Sequence, residues 1–180
     1  MLLAIDTSTR SVGVALYDGV QVVSERVWLS QQFHTVELAP TVSSLIDQAG
    51  TSLDELKVVA VALGPGSFTG LRIGMAFAKG MALAGHLDLV GIPSLDILAA
   101  SHAVDDRPLA AMLEAGRGRI AVGWYKNYSG EWKADKKIQV MTPKELASGI
   151  KSPTIVCGEL SEADRRTEAS DFARRREIRA

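Results

Sequence analysis

Apolar residues come in short runs near the start of this chain. Leu2-Leu3-Ala4-Ile5 gives way to polar Asp6-Thr7-Ser8-Thr9, then to VGVALY over 12–17, Asp18-Gly19 and VQVVSERVWL. Two β-rich runs joined by Asp-Gly are a strong hairpin signal, because that pair supplies the positive φ of a tight turn. The pattern predicts three opening strands, the second and third antiparallel. From Phe33 the period lengthens. Phe33, Val36, Val42, Leu45, Ile46 and Ala49 keep helical spacing until Gly50 stops the run. Pro40 falls inside it and predicts either a kink or a helix start closer to Pro40. Ser52-Leu53-Asp54-Glu55 reads as a capping box for a short turn.

VVAVAL, 58–63, is unbroken, as in a strand buried on both faces. GPGSFTGLRIG, 64–74, leads into a helix expected from Phe68 to Ala84 and closed by Gly85. LDLVGI is a further strand, Pro93-Ser94 introduces a helical LDILAASH, and Asp105-Asp106-Arg107-Pro108 marks a lobe boundary. Beyond it, LAAML and RIAVGWY flank Ala115-Gly116-Arg117-Gly118 as a hairpin, and a third strand falls around EWKADKKIQV. Thr142-Pro143-Lys144-Glu145 combines a cap, an N1 proline and a box glutamate, so a short helix follows. TIVC, 154–157, is a last strand. After Gly158 charge dominates, which predicts a solvated helix or a disordered tail. The organisation expected is an α/β N-terminal lobe over 1–105, a shorter β-rich lobe over 106–158, and a charged tail or terminal helix over 159–180.

Composition narrows the function classes. The chain has 180 residues, 20 Lys+Arg against 21 Asp+Glu, and is 47% hydrophobic. That suffices for an ordinary core, and there is no basic excess of the kind that captures a nucleic-acid backbone. The single cysteine, Cys157, excludes an internal disulfide framework and a cysteine-rich zinc site. No apolar run approaches the ~20 residues that span a bilayer. Asp6 comes too early for a signal peptide, so a soluble, cytoplasmic protein without membrane contact is expected.

The glycine stretch is the first candidate site. Strand, glycine loop and helix form the context in which backbone N–H groups bind phosphate. Neither well-known fingerprint is met: no Gly-Lys occurs anywhere in the chain, and after Gly64 and Gly66 the third dinucleotide position is Thr69, with Gly70 one residue late. Gly64, Gly66 and Ser67 serve turn geometry or a vestigial anion site. From Gly70, small residues recur every four positions, at Gly74, Ala78 and Ala82, which draws a narrow stripe along the helix. Glycine in a helix costs about 1 kcal/mol relative to alanine. Close approach of another element compensates, and spacing alone leaves a contact within the lobe and one with another chain equally open.

Asp6-Thr7-Ser8-Thr9 could meet a metal-nucleotide, but these residues also form turns and caps, which is the reading favoured. His34, His86 and His102 lack the i, i+4 spacing of a helical metal site, so no metal ligand set is assigned. Cys157 reads as a small buried hydrophobe, and Arg117 with Arg119 as an exposed hairpin tip. No catalytic residue is assigned.

Taken together, AIDTST at 4–9, VGVALYDG at 12–19, HTVELAP at 34–40, GPGSFTGLRIG at 64–74 and GIPSLDILA at 91–99 resemble the TsaB family, formerly called YeaZ. The resemblance is good from residue 2 to about 101 and weaker to about 158. It implies an actin-like, ribonuclease-H-like two-lobe fold of the Hsp70 and sugar-kinase type. It implies a non-catalytic role in making threonylcarbamoyladenosine in tRNA, as partner of a TsaD-like metal-binding subunit joined by a TsaE-like ATPase. Pairing through the first two helices implies an interface of His34, Glu37, Leu38, Gly70, Leu71, Gly74, Ala78 and Ala82, with a homodimer when the partner is absent. An actin-like ATPase usually carries Asp-x-Gly-Thr where this chain has Asp6-Thr7-Ser8-Thr9. No cofactor is therefore assigned to the chain itself, a nucleotide at the partner interface being left open. Neutral charge implies no dominant contact with tRNA. Two family elements are missing: an Asp-Ala-Arg stretch, replaced by Glu114-Ala115-Gly116-Arg117, and a Pro-x-Tyr-Leu-Arg element, which puts the completeness of the second lobe in question. The alternatives are an independent actin-like ATPase or phosphotransferase and a metallopeptidase-like protein.

Overall fold

The computed structural model describes residues 1–30 and 34–159. It divides into two compact units, Met1–Ser94 and Leu95–Ala180.

The first unit is a five-stranded sheet with two helices on one face. Its strands are β1 (Leu2–Asp6), β2 (Ser11–Tyr17), β3 (Val22–Leu29), β4 (Val58–Gly64) and β5 (Asp88–Pro93), in the order β3-β2-β1-β4-β5. β1, β2 and β3 are antiparallel neighbours, whereas β4 and β5 run parallel to β1. Alternation decides the faces. Leu3, Ile5, Val14, Leu16, Val59 and Val61 point one way and are buried with Leu38, Val42, Leu45 and Ile46 of α1 (His34–Gln48) and Ala78 of α2 (Phe68–Gly85). Each such leucine or valine contributes roughly 1.5–3 kcal/mol by leaving water.

α1 continues through Pro40, which lies inside it on the exposed side, so the helix does not begin there. The proline cannot donate to the carbonyl one turn earlier, a loss of about 3 kcal/mol that the four buried residues of the opposite face offset. Two local expectations are corrected. Ser52 makes no side-chain cap bond to the single 3-10 turn at Leu53–Glu55. The left-handed residue that ends α2 is His86 (φ 52°), not Gly85, and its N–H returns to the Ala82 carbonyl.

The second unit has helices against both faces of its sheet. β6 (Leu109–Glu114) lies between β10 (Ile155–Gly158), parallel to it, and β7 (Ile120–Tyr128), antiparallel. The expected third strand is two: β8 (Glu131–Ala134) pairs with the end of β7, and β9 (Gln139–Met141) with its beginning. The chain shifts from one register to the other through Asp135, whose N–H donates to the Trp124 carbonyl. Leu109, Ala111 and Leu113 pack against Leu95 and Ala99 of α3 (Ser94–Ala100). Ala110, Met112, Ile120 and Val122 pack against Leu146 of α4 (Pro143–Gly149). Because α3 belongs to this core, the chain divides at Ser94/Leu95 and not near the loop at 105. The charged stretch expected over 159–180 lies, from 160 on, outside the described residues.

Candidate functional site

Strands β1 and β4 bring the two candidate loops side by side. In the first, Asp6 Oδ1 accepts the Ser8 N–H at 2.8 Å, a self-contained Asx turn. Thr9 Oγ1 both accepts from the Ser11 N–H and donates to its carbonyl. In the second, Ser67 caps α2 by accepting the Gly70 N–H on its hydroxyl. The loops then bond to each other. The Ser67 N–H donates to the Ser8 carbonyl at 2.6 Å, and the buried Thr7 hydroxyl donates to the Gly70 carbonyl at 2.8 Å. Gly64 N–H is held by the hydroxyl of Ser94, itself buried.

The glycines make this approach possible. A Cβ on Gly66 would collide with the Ser8 carbonyl, one on Gly70 with the Thr7 carbonyl, and one on Gly74 with the Thr7 hydroxyl. Gly70, Gly74 and Ala78 are buried inside their own unit, as is Leu38 of α1 at 1% exposure. Their expected partner-facing role is thus corrected: the stripe at every fourth position lets α2 sit on the β1 turn. Glu37 is half-buried and accepts the Trp28 indole N–H at 3.0 Å. Leu71 and Ala82 are half-buried, and the side chain of His34 lies outside the described residues.

An actin-like ATPase would hold nucleotide phosphates at such a loop, and the residues present here do not fit them. The N–H groups of Ser8, Ser67 and Gly70, which would face a phosphate, already donate to Asp6, Ser8 and Ser67. Ser8 is buried where the phosphate loop needs a glycine, so backbone cannot be approached there.

The outer face of α2 is a different matter. Phe68 (73% exposed) and Leu83 (80%) project into solvent beside exposed Arg72, Ala76, Lys79 and Gly80. The Arg72 guanidinium lies 5.2 Å above the Phe68 ring. A Cβ on Gly80 would meet nothing within 4 Å. An open groove of about 420 Å³ runs beside this face, lined by Leu63, Phe68, Leu71, Arg72, Met75 and Lys79 among others. On α1, Val36 (66% exposed), Ala39, Pro40, Ser43 and Asp47 are also exposed. Sequence reading missed this face, although a second small-residue spacing, Ala76-Gly80-Ala84, sits two positions after the first.

In the second unit the Tyr125 hydroxyl, in a buried side chain, donates to Asp96 Oδ1 at 2.6 Å. Burial, then the neighbouring carboxylate, push that hydroxyl above the ordinary tyrosine range. Burial alone pushes the Cys157 thiol up to about 11, which keeps it protonated and unreactive. Among the described residues no three His, Cys, Asp or Glu side chains converge as a metal site.

The sequence profile of the family described as "TsaD: tRNA N6-adenosine threonylcarbamoyltransferase" matches residues 26–162. The chain is similar to the "tRNA threonylcarbamoyladenosine biosynthesis protein TsaB" of Bacillus subtilis, 34% identical over 129 residues, 72% of this chain and 56% of that protein. The protein of the same description from Escherichia coli is 33% identical over 147 residues, 79% of this chain and 63% of that protein. The chain therefore spans roughly three-fifths of the length of these curated relatives. Among solved structures, "YeaZ from Pseudomonas aeruginosa" superimposes with a TM-score of 0.74 at 28% identity, covering 86% of this chain and 74% of that one. A second Pseudomonas aeruginosa structure, at 24% identity and a TM-score of 0.77, covers 96% of this chain and shows the shared fold. The matched span contains His34, His86 and His102, none at i, i+4, so the profile is met without the paired histidines of a helical metal site. With a fold shared with YeaZ, a matching family profile over most of its length and TsaB relatives over the same span, the chain belongs to the TsaB (YeaZ) family.

Proposed function

We propose that this protein is a non-catalytic partner of a TsaD-like subunit in the threonylcarbamoyladenosine modification of tRNA. The observation that carries the reading is the pairing of a closed phosphate loop with an open helical face. The loop donors that would serve chemistry are used up within the chain, while α2 presents Phe68, Ala76, Gly80 and Leu83 to solvent. Small residues let a second helix approach closely, and the large apolar groups at either end supply the buried area that holds it. α1 adds Val36, Ala39 and Ser43, so the contact is one between helix pairs.

The interface thereby moves from the Gly70-Gly74-Ala78 edge to the Ala76-Gly80 edge of the same helix. A TsaE-like ATPase joins the assembled pair, and the same face closes a homodimer when the partner is absent. Any nucleotide belongs to the assembled interface, and the site of action is the cytoplasm. A net charge of −1 leaves the main grip on tRNA to the partner. Of the alternatives, an ATPase would need its loop donors released, and a metallopeptidase a ligand set that the described residues do not gather.

Size-exclusion chromatography with light scattering tests this, on the chain alone and mixed with the TsaD-like protein of the same genome. A mixed peak at the heterodimer mass is expected. Gly80→Glu keeps the monomer folded, since glutamate is the better helix former by several tenths of a kcal/mol, and weakens the complex at least tenfold. A complex untouched by both Gly80→Glu and Ala76→Glu would overturn the placement. No complex at micromolar concentration would overturn the function.

A further inference from the structure

We propose that the free end of the β7–β8 ribbon is a contact surface for single-stranded or loop RNA. The register places Lys126 directly opposite Lys133, and Tyr128 opposite Glu131. Directly opposite residues share a face, and by period two Trp124, Lys126 and Tyr128 of β7 share it as well. On the same side nearer the start of β7, Ile120 and Val122 are covered by Leu146 of α4. Past Trp124 the face is bare: Lys126, Tyr128, Glu131 and Lys133 are all exposed.

Two features make this more than a solvated edge. Like charges placed directly opposite on paired strands oppose folding, yet Lys126 and Lys133 face each other here. Their acidic neighbours compensate weakly. Lys126 Nζ lies 3.1 Å from Asp135 and Lys133 Nζ 3.7 Å from Glu131, with both lysine side chains more than half exposed, the setting in which ion pairs contribute little. Lys136 and Lys137 add two more cations, so four lysines stand against two carboxylates between Trp124 and Lys137, in a chain whose net charge is −1.

The second feature is aromatic. Tyr128 is 58% exposed at the end of the ribbon, and Lys136 places its ammonium 5.3 Å from the centroid of the Trp124 ring. Rings interleaved with lysines are what a flexible polyanion with stackable bases requires: lysines take phosphates, and each ring accepts any base. An anionic membrane would take the lysines and the rings as well, but Glu131, directly opposite Tyr128 at the tip, would have to enter the anionic headgroup layer with them. The contact needs no partner subunit, so it stands or falls separately from the docking reading. It is auxiliary in strength. About two or three phosphates neutralised predicts a Kd in the non-specific range, roughly 10–100 µM, and a shallow salt slope of about −1.5 to −2.

Fluorescence anisotropy with a labelled single-stranded oligoribonucleotide of about 12 nucleotides tests the proposal on the full chain. Binding at low salt is expected, with at least a tenfold loss in Lys133→Glu/Lys136→Glu and several-fold in Tyr128→Ala. Lys57→Glu, at an exposed position in the first unit, leaves it unchanged. Lys133→Gln/Lys136→Gln serves as a second pair, and circular dichroism confirms that each variant is folded. No binding at about 100 µM, or equal binding by wild type and both lysine pairs, overturns the proposal. So does binding to phosphatidylglycerol vesicles without binding to the oligonucleotide, which would assign the surface to lipid.

Discussion

At Gly74 the space a side chain would take is already filled by the Thr7 hydroxyl, which is itself committed to the Gly70 carbonyl. Gly74→Leu must therefore displace a buried, hydrogen-bonded side chain, at a cost of about 3 kcal/mol or more. Gly80→Leu faces open space on the same helix and is neutral or slightly stabilising. Urea denaturation of the two variants measures the difference, and a Gly74→Leu monomer as stable as wild type would contradict the packing described. Tyr125 gives a pH prediction. Its hydroxyl is raised by burial and by Asp96, so the unfolded chain, titrating near 10, releases its proton first as pH rises. Stability is thus fully retained below about pH 10 and falls above it. Tyr125→Phe costs about 1 kcal/mol at neutral pH by losing the bond to Asp96, and it should make the alkaline decline shallower. The same loss in both proteins would mean that Tyr125 does not titrate differently on folding. Cys157, held protonated to about pH 11, should react with a thiol reagent at pH ~8 only once the chain is unfolded.

Elements differ in how openly their residues announce them. The β2–β3 hairpin, β4 and the α4 start were legible because each follows from local chemistry. Asp18 Oδ1 accepts two turn N–H groups, and Thr142 and Glu145 exchange the reciprocal bonds of a capping box. Thr142→Ala removes that box and should lower stability by about 1 kcal/mol, read as a shift in thermal midpoint. Ser52 reads the same in sequence, yet in the single 3-10 turn the Glu55 N–H donates to the Ser52 backbone carbonyl and the hydroxyl makes no cap bond. The divided strand after Tyr128 was hidden for another reason: its two halves pair with different stretches of β7, a choice made by the sheet. The candidate site follows the same logic. Four-residue spacing of small side chains was rightly a signal of close approach, but which neighbour approaches is a tertiary fact. Thr7, 63 residues before Gly70 in the turn after β1, supplied the answer. The Ala76-Gly80 spacing carried the same signal and became visible as a surface only once the first stripe was filled.

For the whole molecule, the consequence of two units is that damage to one core need not reach the other. The buried cluster around Leu3, Leu38 and Val59 shares no residue with those around Leu95 and Leu146. Backbone bonding follows the same division, since β1 to β5 pair only among themselves and β6 to β10 likewise. A core of this kind loses protection as a cooperative piece when one of its contacts is destroyed. Gly74→Leu should therefore accelerate amide hydrogen exchange in β1 and β4 by a factor of about 100 or more, the equivalent of its ~3 kcal/mol. Amides of β6 and β7 should keep their wild-type rates. Exchange read by mass spectrometry on peptides from the two sheets separates the outcomes. An equal rise in both would show that the second sheet depends on the first for its stability. A partner bound at α1 and α2 would then also steady the second sheet, the chain behaving as one cooperative body. Unequal exchange would leave that partner acting on the first unit and the lysine ribbon free to act by itself.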